Sequence, residues 1–183
     1  MPWGEQMARY PSEMEEHWEA HGERLLIRPI RPEDAPQHEA LFHRLLPEEI
    51  RLRFFSALRE LSRAQLAKFT QIDYQRDMAL IAVREATGET VGVGRLAREA
   101  DPRVAEFAVL VRHDLQGLGI ATHLLQRLVD WASCHGIREM VGQILAENTT
   151  MIDLARHLGF QTHRLRGAPE IVEARLRLAR PEA

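Results

Sequence analysis

Two short runs hold most of the information in this chain: Val104-Ala105-Glu106-Phe107-Ala108-Val109-Leu110-Val111 and, after four further residues, Gln116-Gly117-Leu118-Gly119-Ile120-Ala121. They predict a buried strand that leads through a glycine-bearing turn into a helix. Glycines let the backbone approach a ligand without Cβ atoms, and the free N–H groups of a helix's first turn act as anion donors. The two runs predict a phosphate or pyrophosphate site; the alternative is a tight turn that binds no ligand.

Glu106 is the unusual residue of the predicted strand. It shares an alternating face with Val104, Ala108 and Leu110, where an ionised carboxylate is normally excluded. Burial there would raise its pKa toward neutral pH, as a general base requires. We therefore predict that Glu106 is a catalytic base. The alternatives are an edge or solvent-channel carboxylate and an ion-pair partner of Arg95.

Composition restricts the class of protein. A length of 183 residues with 45% apolar residues suits one α/β domain and leaves no room for a second full domain. A net charge of −3 and a pI near 6.3 argue against nucleic acid as a partner. Cys134 is the only cysteine, the N-terminus is acidic, and no apolar run of about 18 residues would cross a membrane. We expect a cytoplasmic protein without a membrane partner.

Apolar periodicity and turn residues predict the order of elements. We predict that residues 1–23 form an N-terminal extension and that residues 24–180 form a single domain. Within that domain the order is a strand, helices, three strands, a helix, a strand, a helix and two strands. The predicted pieces include helices from Pro32, from Pro47 through Phe55, and from the capping box of Ser62 and Gln65. The later ones are a hairpin at 79–96, a helix at 117–135, a strand at 140–145, a helix at 148–158 and strands at 160–165 and 171–178.

Two motifs carry a family resemblance. Gln116, Gly119 and Ala121 fill the pattern Gln/Arg-x-x-Gly-x-Gly/Ala, and Asn148-x-x-Met151-x-x-Leu154-x-x-x-Leu158-Gly159-Phe160 follows about 30 residues later. Together they resemble the cofactor motifs of the GNAT superfamily of acetyl-CoA-dependent N-acetyltransferases. The resemblance implies an α/β (α+β) fold with a mixed, mostly antiparallel sheet of about six to seven strands, flanked by helices and splayed at the cofactor site.

The same resemblance implies how acetyl-CoA, as co-substrate, would be held. Backbone groups of one strand would meet the pantetheine amides, the turn and first helical turn would hold the pyrophosphate, and an asparagine would lie near the pantetheine. The implied cofactor residues are Val109, Leu110, Val111, Gln116, Gly117, Gly119, Ile120, Ala121, Thr122 and Asn148. We expect no bound metal, because His17 and His21 lack an apparent third ligand.

A narrower resemblance rests on three segments: Leu26-Ile27-Arg28-Pro29-Ile30-Arg31-Pro32-Glu33-Asp34-Ala35, Arg53-Phe54-Phe55-Ser56, and Ile72-Asp73-Tyr74 leading to Met78-Ala79-Leu80. They resemble the acetyltransferase domain of bacterial protein lysine acetyltransferases of the Pat type. This resemblance implies direct acetyl transfer to a lysine ε-amine of a protein, such as an acyl-CoA synthetase, with Glu106 as the base, directly or through a water. Asp73 and Tyr74 would line the substrate entry, unless Asp73 simply caps the next element.

One position departs from much of the superfamily. Many small-molecule GNAT enzymes have a tyrosine, which acts as general acid, where this chain has Ala155. A thiol pKa of about 8.5 makes the CoA thiolate a tolerable leaving group without such an acid. The departure favours the protein-acetylating branch. Acetylation of a small amine and a non-catalytic acetyl-CoA-sensing module remain the alternatives.

Overall fold

In the computed structural model, residues 9–54 and 60–179 are described, and they form one eight-stranded sheet with helices on both faces. The strand order is β1-β2-β3-β4-β5-β6-β8-β7. The strands are β1 (Glu16–Ala20), β2 (Glu23–Pro29), β3 (Met78–Arg84), β4 (Thr90–Arg98), β5 (Val104–Val111), β6 (Glu139–Leu145), β7 (Gln161–Leu165) and β8 (Ala168–Arg177). The helices are α1 (Ala35–His43), α2 (Pro47–Phe54), α3 (Arg63–Thr70), α4 (Ile120–Cys134) and α5 (Thr149–His157).

The sheet separates two hydrophobic clusters. On one face α4 and α5 cover a cluster that includes Phe107, Leu124, Leu128 and Phe160. On the other face α1, α2 and α3 cover a smaller cluster that includes Phe42 and other buried side chains from β3 and β4. Neighbouring strands pair antiparallel, except that β5 and β6 are parallel. The predicted mixed, mostly antiparallel sheet is confirmed.

The sheet has one strand more than expected, because part of the predicted extension pairs with it. In β1, Glu16 lies opposite Ile27 and Ala20 opposite Glu23, across a turn at His21 and Gly22 with positive φ values of 48° and 83°. The exposed positions of this edge strand carry the polar side chains of His17 and Glu19, as is typical of the edge of a sheet.

Of two predicted helix starts, one is confirmed and the other differs from the structure. The capping box is confirmed, since Ser62 Oγ accepts from the Gln65 N–H at 3.1 Å and Gln65 Oε1 accepts from the Ser62 N–H at 2.9 Å. Helix α4 begins at Ile120, later than the predicted Gly117, because Gly117 and Gly119 adopt φ values of 82° and 84°. Phe55, predicted to lie on the second helix, and Ser56 fall outside the described residues.

Of the helices in residues 9–54 and 60–179, none is long and apolar enough to cross a membrane.

A buried histidine connects the α1–α3 layer to the sheet. His38 is 7% exposed, and its Nε2 lies 3.2 Å from Arg95 Nη2. Burial, and then the nearby charges of Arg95 and Arg53, lower the pKa of His38 to about 4. The imidazole is therefore neutral at physiological pH, and its Nε2 accepts the hydrogen bond from Arg95.

His38 is expected to make stability fall as the pH is lowered from about 6.5 to 4. In that interval the unfolded chain binds a proton at His38 and the folded chain does not, so acid favours unfolding by up to about 3 kcal/mol. Urea unfolding across this pH range should show a smaller pH dependence for His38→Gln than for the wild type. His157→Gln, at an exposed histidine on α5, is the control. Equal pH dependence in wild type and His38→Gln would contradict the assignment.

Candidate active site

The central opening of the sheet lies between β5 and β6. Their parallel register pairs Val104 with Glu139, Ala105 with Met140 and Glu106 with Val141, and within the described residues it goes no further. Beyond this last pair β5 continues to Val111 and β6 continues to Leu145 without pairing with each other. The predicted splay is confirmed, and we call the opening the β5–β6 cleft.

The strand register identifies which backbone groups of β5 face this cleft. The Arg112 N–H donates to the Val91 carbonyl at 2.8 Å, on the β4 side. Because alternate residues of a strand direct their amides to the same side, Leu110 also faces β4, whereas Val109 and Val111 face the cleft. Leu110 instead packs its side chain against the α1–α3 cluster. Of the three predicted pantetheine residues, the structure thus brings the amides of two to the cleft.

The N-terminus of α4 stands at the end of the same cleft. Gly119 is its N-cap in the left-handed conformation, and the first intrahelical hydrogen bond joins the His123 N–H to the Gly119 carbonyl at 2.9 Å. The N–H groups of Ile120, Ala121 and Thr122 therefore have no intrahelical acceptor. The Ile120 side chain is buried in the core, so only its backbone can contact a ligand. This end of α4 has the geometry of an anion site.

Gln116 is held between the strand and a helix of the opposite layer. Its Nε2 donates to the Val111 carbonyl at 3.1 Å and to Glu49 Oε1 at 3.2 Å. Glu49 belongs to α2, and on the other side of the cleft Arg51 of α2 donates to Glu147 Oε1 at 2.7 Å. Helix α2 therefore contacts both the β5 side and the β6 side of the cleft, a role that its sequence does not reveal.

A buried arginine fixes the loop between β5 and α4. Arg112 is 3% exposed and donates to both carboxylate oxygens of Asp114, at 2.6 and 2.8 Å, and to Glu89 Oε2 at 2.7 Å. The bidentate geometry makes this a strong, directional contact. Arg112 is not among the residues predicted for the site; its local signal in the sequence is an aspartate two residues later.

Strand β1 supports the outer side of the α4 N-terminus. The Trp18 ring stacks on His123, with ring centroids 4.4 Å apart and an interplanar angle of 3°. Glu16 Oε2 lies 2.9 Å from His123 Nε2 and 2.5 Å from Arg127 Nη1. Trp18 also comes within 4.0 Å of the position that a Cβ on Gly119 would occupy. These contacts hold the N-terminal turn of α4 against the edge of the sheet.

Asn148 lies on the other wall of the cleft, where β6 leads into α5, and Ala155 lies further along that helix. Asn148 is the N-cap of α5, and its Oδ1 accepts from the Met151 N–H at 3.3 Å. The side-chain amide therefore still has its NH2 group as a donor. Ala155 is fully buried and packs in the core, so α5 supplies no polar side chain at the position of the absent tyrosine.

Glu106 stands at the apex of the cleft, but the predicted burial of this residue is wrong. Its side chain is exposed, because helices α1–α3, as far as they are described, cover the adjacent strands and leave this part of the β5 face open. Arg95 is not its partner, since Arg95 donates to the Phe69 carbonyl at 2.7 Å and contacts His38. Burial lowers the pKa of Arg53, and the charge of Glu106 opposes this shift, so a cation lies near the carboxylate.

A cavity of about 250 Å³ opens beside Glu106 on this uncovered face. Its lining includes the carboxylates of Glu99, Glu106 and Glu173 and the guanidinium of Arg175. Arg175 is already neutralised, because it pairs with Glu139 and with Glu173. We call this space the acidic cavity; its remaining negative charge would attract a cation.

Asp73 and Tyr74, the two residues predicted to line the substrate entry, both form hydrogen bonds with backbone groups. Asp73 Oδ1 accepts from the Gln75 N–H at 3.0 Å, as expected of an aspartate that caps a turn. The Tyr74 hydroxyl donates to the Ile30 carbonyl at 2.6 Å, and burial raises its pKa. The Tyr10 ring meets the Tyr74 ring edge-on, with centroids 6.3 Å apart, and its hydroxyl donates to the Pro29 carbonyl. Both hydroxyls are therefore tied to backbone carbonyls at the junction of β2 and α1.

The histidine pair of the N-terminal segment is separated in the structure. His17 lies on β1 and pairs with Glu85, whereas His21 is exposed in the turn that follows. Within residues 9–54 and 60–179, no three or more potential metal ligands lie close enough together to hold an ion.

Comparisons with known proteins agree with this geometry. Residues 24–161 match the family model of the acetyltransferase (GNAT) domain. The chain is 37% identical over 150 residues to the acetyltransferase PA5475 of Pseudomonas aeruginosa, an alignment that covers 79% of this chain and 81% of the relative.

Two solved structures show the same fold. The GNAT domain of S. lividans PAT is 27% identical, superposes with a TM-score of 0.85, and is matched over 92% of this chain and 99% of its own. A phosphinothricin acetyltransferase from Sinorhizobium meliloti, solved in complex with acetyl-CoA, is 20% identical with a TM-score of 0.69, over 83% of this chain and 87% of its own. With its splayed strands and glycine turn, the chain belongs to the GNAT acetyltransferase family.

Proposed function

We propose that this protein transfers the acetyl group of acetyl-CoA directly to a lysine ε-amine of a protein, such as an acyl-CoA synthetase. The observation that carries the proposal is the acidic cavity, which lies on an uncovered face of the sheet and contains Glu106 at the apex of the β5–β6 cleft. A cationic lysine side chain fits such a cavity, and the open face admits a protein surface.

Acetyl-CoA would lie along the unpaired part of β5. The free N–H groups of Ile120, Ala121 and Thr122 would hold the pyrophosphate, and Gly117 and Gly119 would let it approach the backbone. The amides of Val109 and Val111 and the NH2 group of Asn148 would meet the pantetheine arm. The S. meliloti relative, whose structure holds acetyl-CoA, supports this choice of co-substrate.

The reaction requires a neutral amine. A lysine has an unperturbed pKa of about 10.4, so its ammonium must lose a proton before attack. Glu106 takes that proton, directly or through a water, and the nitrogen then bonds to the thioester carbonyl carbon. The carbon–sulfur bond breaks, and CoA leaves as a thiolate. An exposed carboxylate suits an acceptor that arrives from solvent, since both groups reach the same open face.

The missing general acid is consistent with this scheme. Ala155 is buried, and the hydroxyls of Tyr10 and Tyr74 are bonded to backbone carbonyls. The thiolate takes its proton from water after it leaves, because a thiol pKa of about 8.5 does not require proton transfer during the step.

The test is to incubate the protein with acetyl-CoA and an acyl-CoA synthetase and to map acetyl-lysine by mass spectrometry. We expect acetylation at one or a few lysines and little product with small amines supplied in parallel. Acetylation of small amines alone would favour the small-molecule branch of the family. Acetyl-CoA binding without any product would identify a sensing module and overturn the proposal.

A further inference from the structure

The closed end of the β5–β6 cleft is filled by an aromatic ring. The last paired residues are Glu106 and Val141, so Phe107 and Gly142 are the first residues beyond the point where the strands part. A Cβ built on Gly142 would lie 2.6 Å from two atoms of the Phe107 ring, Cε1 and Cζ. The ring therefore occupies the space that any other side chain at position 142 would need.

Neighbouring side chains hold the ring there. Phe107 is 4% exposed, and the Phe160 ring packs against it with centroids 4.9 Å apart and an interplanar angle of 59°. Phe160 is itself 3% exposed, so neither ring can turn away into solvent. A close-packed site of this kind resists displacement by a ligand.

The direction of the co-substrate leads to this ring. If the pyrophosphate is at the N-terminus of α4 and the pantetheine follows β5, the acyl group arrives at the level of Glu106 and Phe107. Consecutive residues of a strand point to opposite faces, so Glu106 and Phe107 approach the thioester from opposite sides. The amine comes from the Glu106 side, and the acyl chain extends toward the Phe107 side.

We infer that Phe107, held over Gly142, limits the acyl group to acetyl and is the residue that determines acyl-chain length. The inference rests on the proposed function, because it uses the proposed path of the co-substrate. An acetyl methyl group can stop short of the ring. Each further methylene would have to displace a buried aromatic side chain, which close packing opposes.

The experiment measures the affinity of the protein for acetyl-, propionyl- and butyryl-CoA by calorimetry, without an acceptor. The wild type should bind butyryl-CoA at least about tenfold more weakly than acetyl-CoA. Phe107→Leu should reduce that ratio to about threefold or less while affinity for acetyl-CoA stays within about threefold of the wild type. Phe42→Leu removes an equally buried ring from the cluster on the other face and should keep the wild-type ratio.

The outcomes separate this inference from the proposed function. Equal binding of acetyl- and butyryl-CoA by the wild type, or an unchanged ratio in Phe107→Leu, would overturn the chain-length role even if lysine acetylation is observed. Failure of acetyl transfer with the expected binding ratios would overturn the proposed reaction and leave the chain-length role standing. If Phe107→Leu does not fold by circular dichroism, Phe107→Met replaces it, because its flexible side chain also vacates the ring position.

Discussion

Replacing Glu106 with glutamine is expected to lower kcat for acetyl transfer by about 10²- to 10⁴-fold, the range typical of a lost general base. The amide is nearly the same size as the carboxylate but cannot take the proton of the acceptor. Because Glu106 is exposed and lies at the end of the strand pairing, the substitution should leave the fold and the affinity for acetyl-CoA almost unchanged. Steady-state kinetics, with the acetylated acceptor as readout, measures kcat. Calorimetry measures the affinity for acetyl-CoA.

Glu19→Gln is the matched control, since Glu19 is an exposed carboxylate on β1, at the edge of the sheet and away from the central strand β5. Its kcat should stay within about twofold of the wild type, as most surface substitutions are nearly neutral. A Glu106→Gln variant that retains wild-type kcat would remove the base assignment. It would leave the acetyltransferase assignment intact, because that rests on the family and the fold.

Gly119→Ala is expected to weaken acetyl-CoA binding by about tenfold or more, which corresponds to about 1.4 kcal/mol. Gly119 has a φ of 84°, and an alanine pays about 1–2 kcal/mol to adopt this left-handed conformation. The loop can relieve that strain only by moving the N–H groups that follow it, and those are the proposed pyrophosphate donors. The added methyl group would also approach Trp18.

Gly136→Ala controls for the strain alone. Gly136 lies just beyond the other end of α4 with a φ of 78°, so the two variants should lose similar free energies of unfolding. Urea unfolding should therefore give similar free energies of unfolding for the two variants. Calorimetry with acetyl-CoA should show a large change in Kd only for Gly119→Ala. Equal effects on Kd would mean that the glycine serves the fold of the loop and not the cofactor.

The glycine turn and the order of elements could be predicted because their signals are local. Positive φ at Gly117 and Gly119 follows from what glycine alone tolerates, and the capping box of Ser62 and Gln65 follows from a short hydrogen-bonding pattern. The family motifs added the splay between the strands. The glycine turn and the capping box depend on residues close together in sequence, so they can be recognised from a single sequence.

The exposure of Glu106 could not be predicted, because it depends on where a helical layer ends. Alternation along β5 places Glu106 with Leu110, and Leu110 does pack under the α1–α3 layer. Within residues 9–54 and 60–179 this layer does not reach Glu106, so Glu106 and Leu110 differ in burial although they share a face. Strand alternation reports which side chains share a face, but it does not report how far the covering helices reach.

Long-range contacts account for the remaining differences. Strand β1 is stable because Trp18 and Glu16 contact α4, more than 100 residues away. Arg112 is buried because Glu89, from the turn between β3 and β4, and Asp114 satisfy its guanidinium. Whether Val109 or Leu110 faces the cleft depends on the register with β4. None of these contacts has a signature within a short window of sequence.

A crystal structure of the protein with acetyl-CoA tests the central claim most directly. We predict pyrophosphate oxygens within about 3.2 Å of the N–H groups of Ile120, Ala121 and Thr122, the pantetheine along Val109 and Val111, and the thioester at the level of Glu106. The acetyl methyl group should point toward Phe107. Acetyl-CoA bound outside the β5–β6 cleft, or bound in it with its thioester remote from Glu106, would contradict the account.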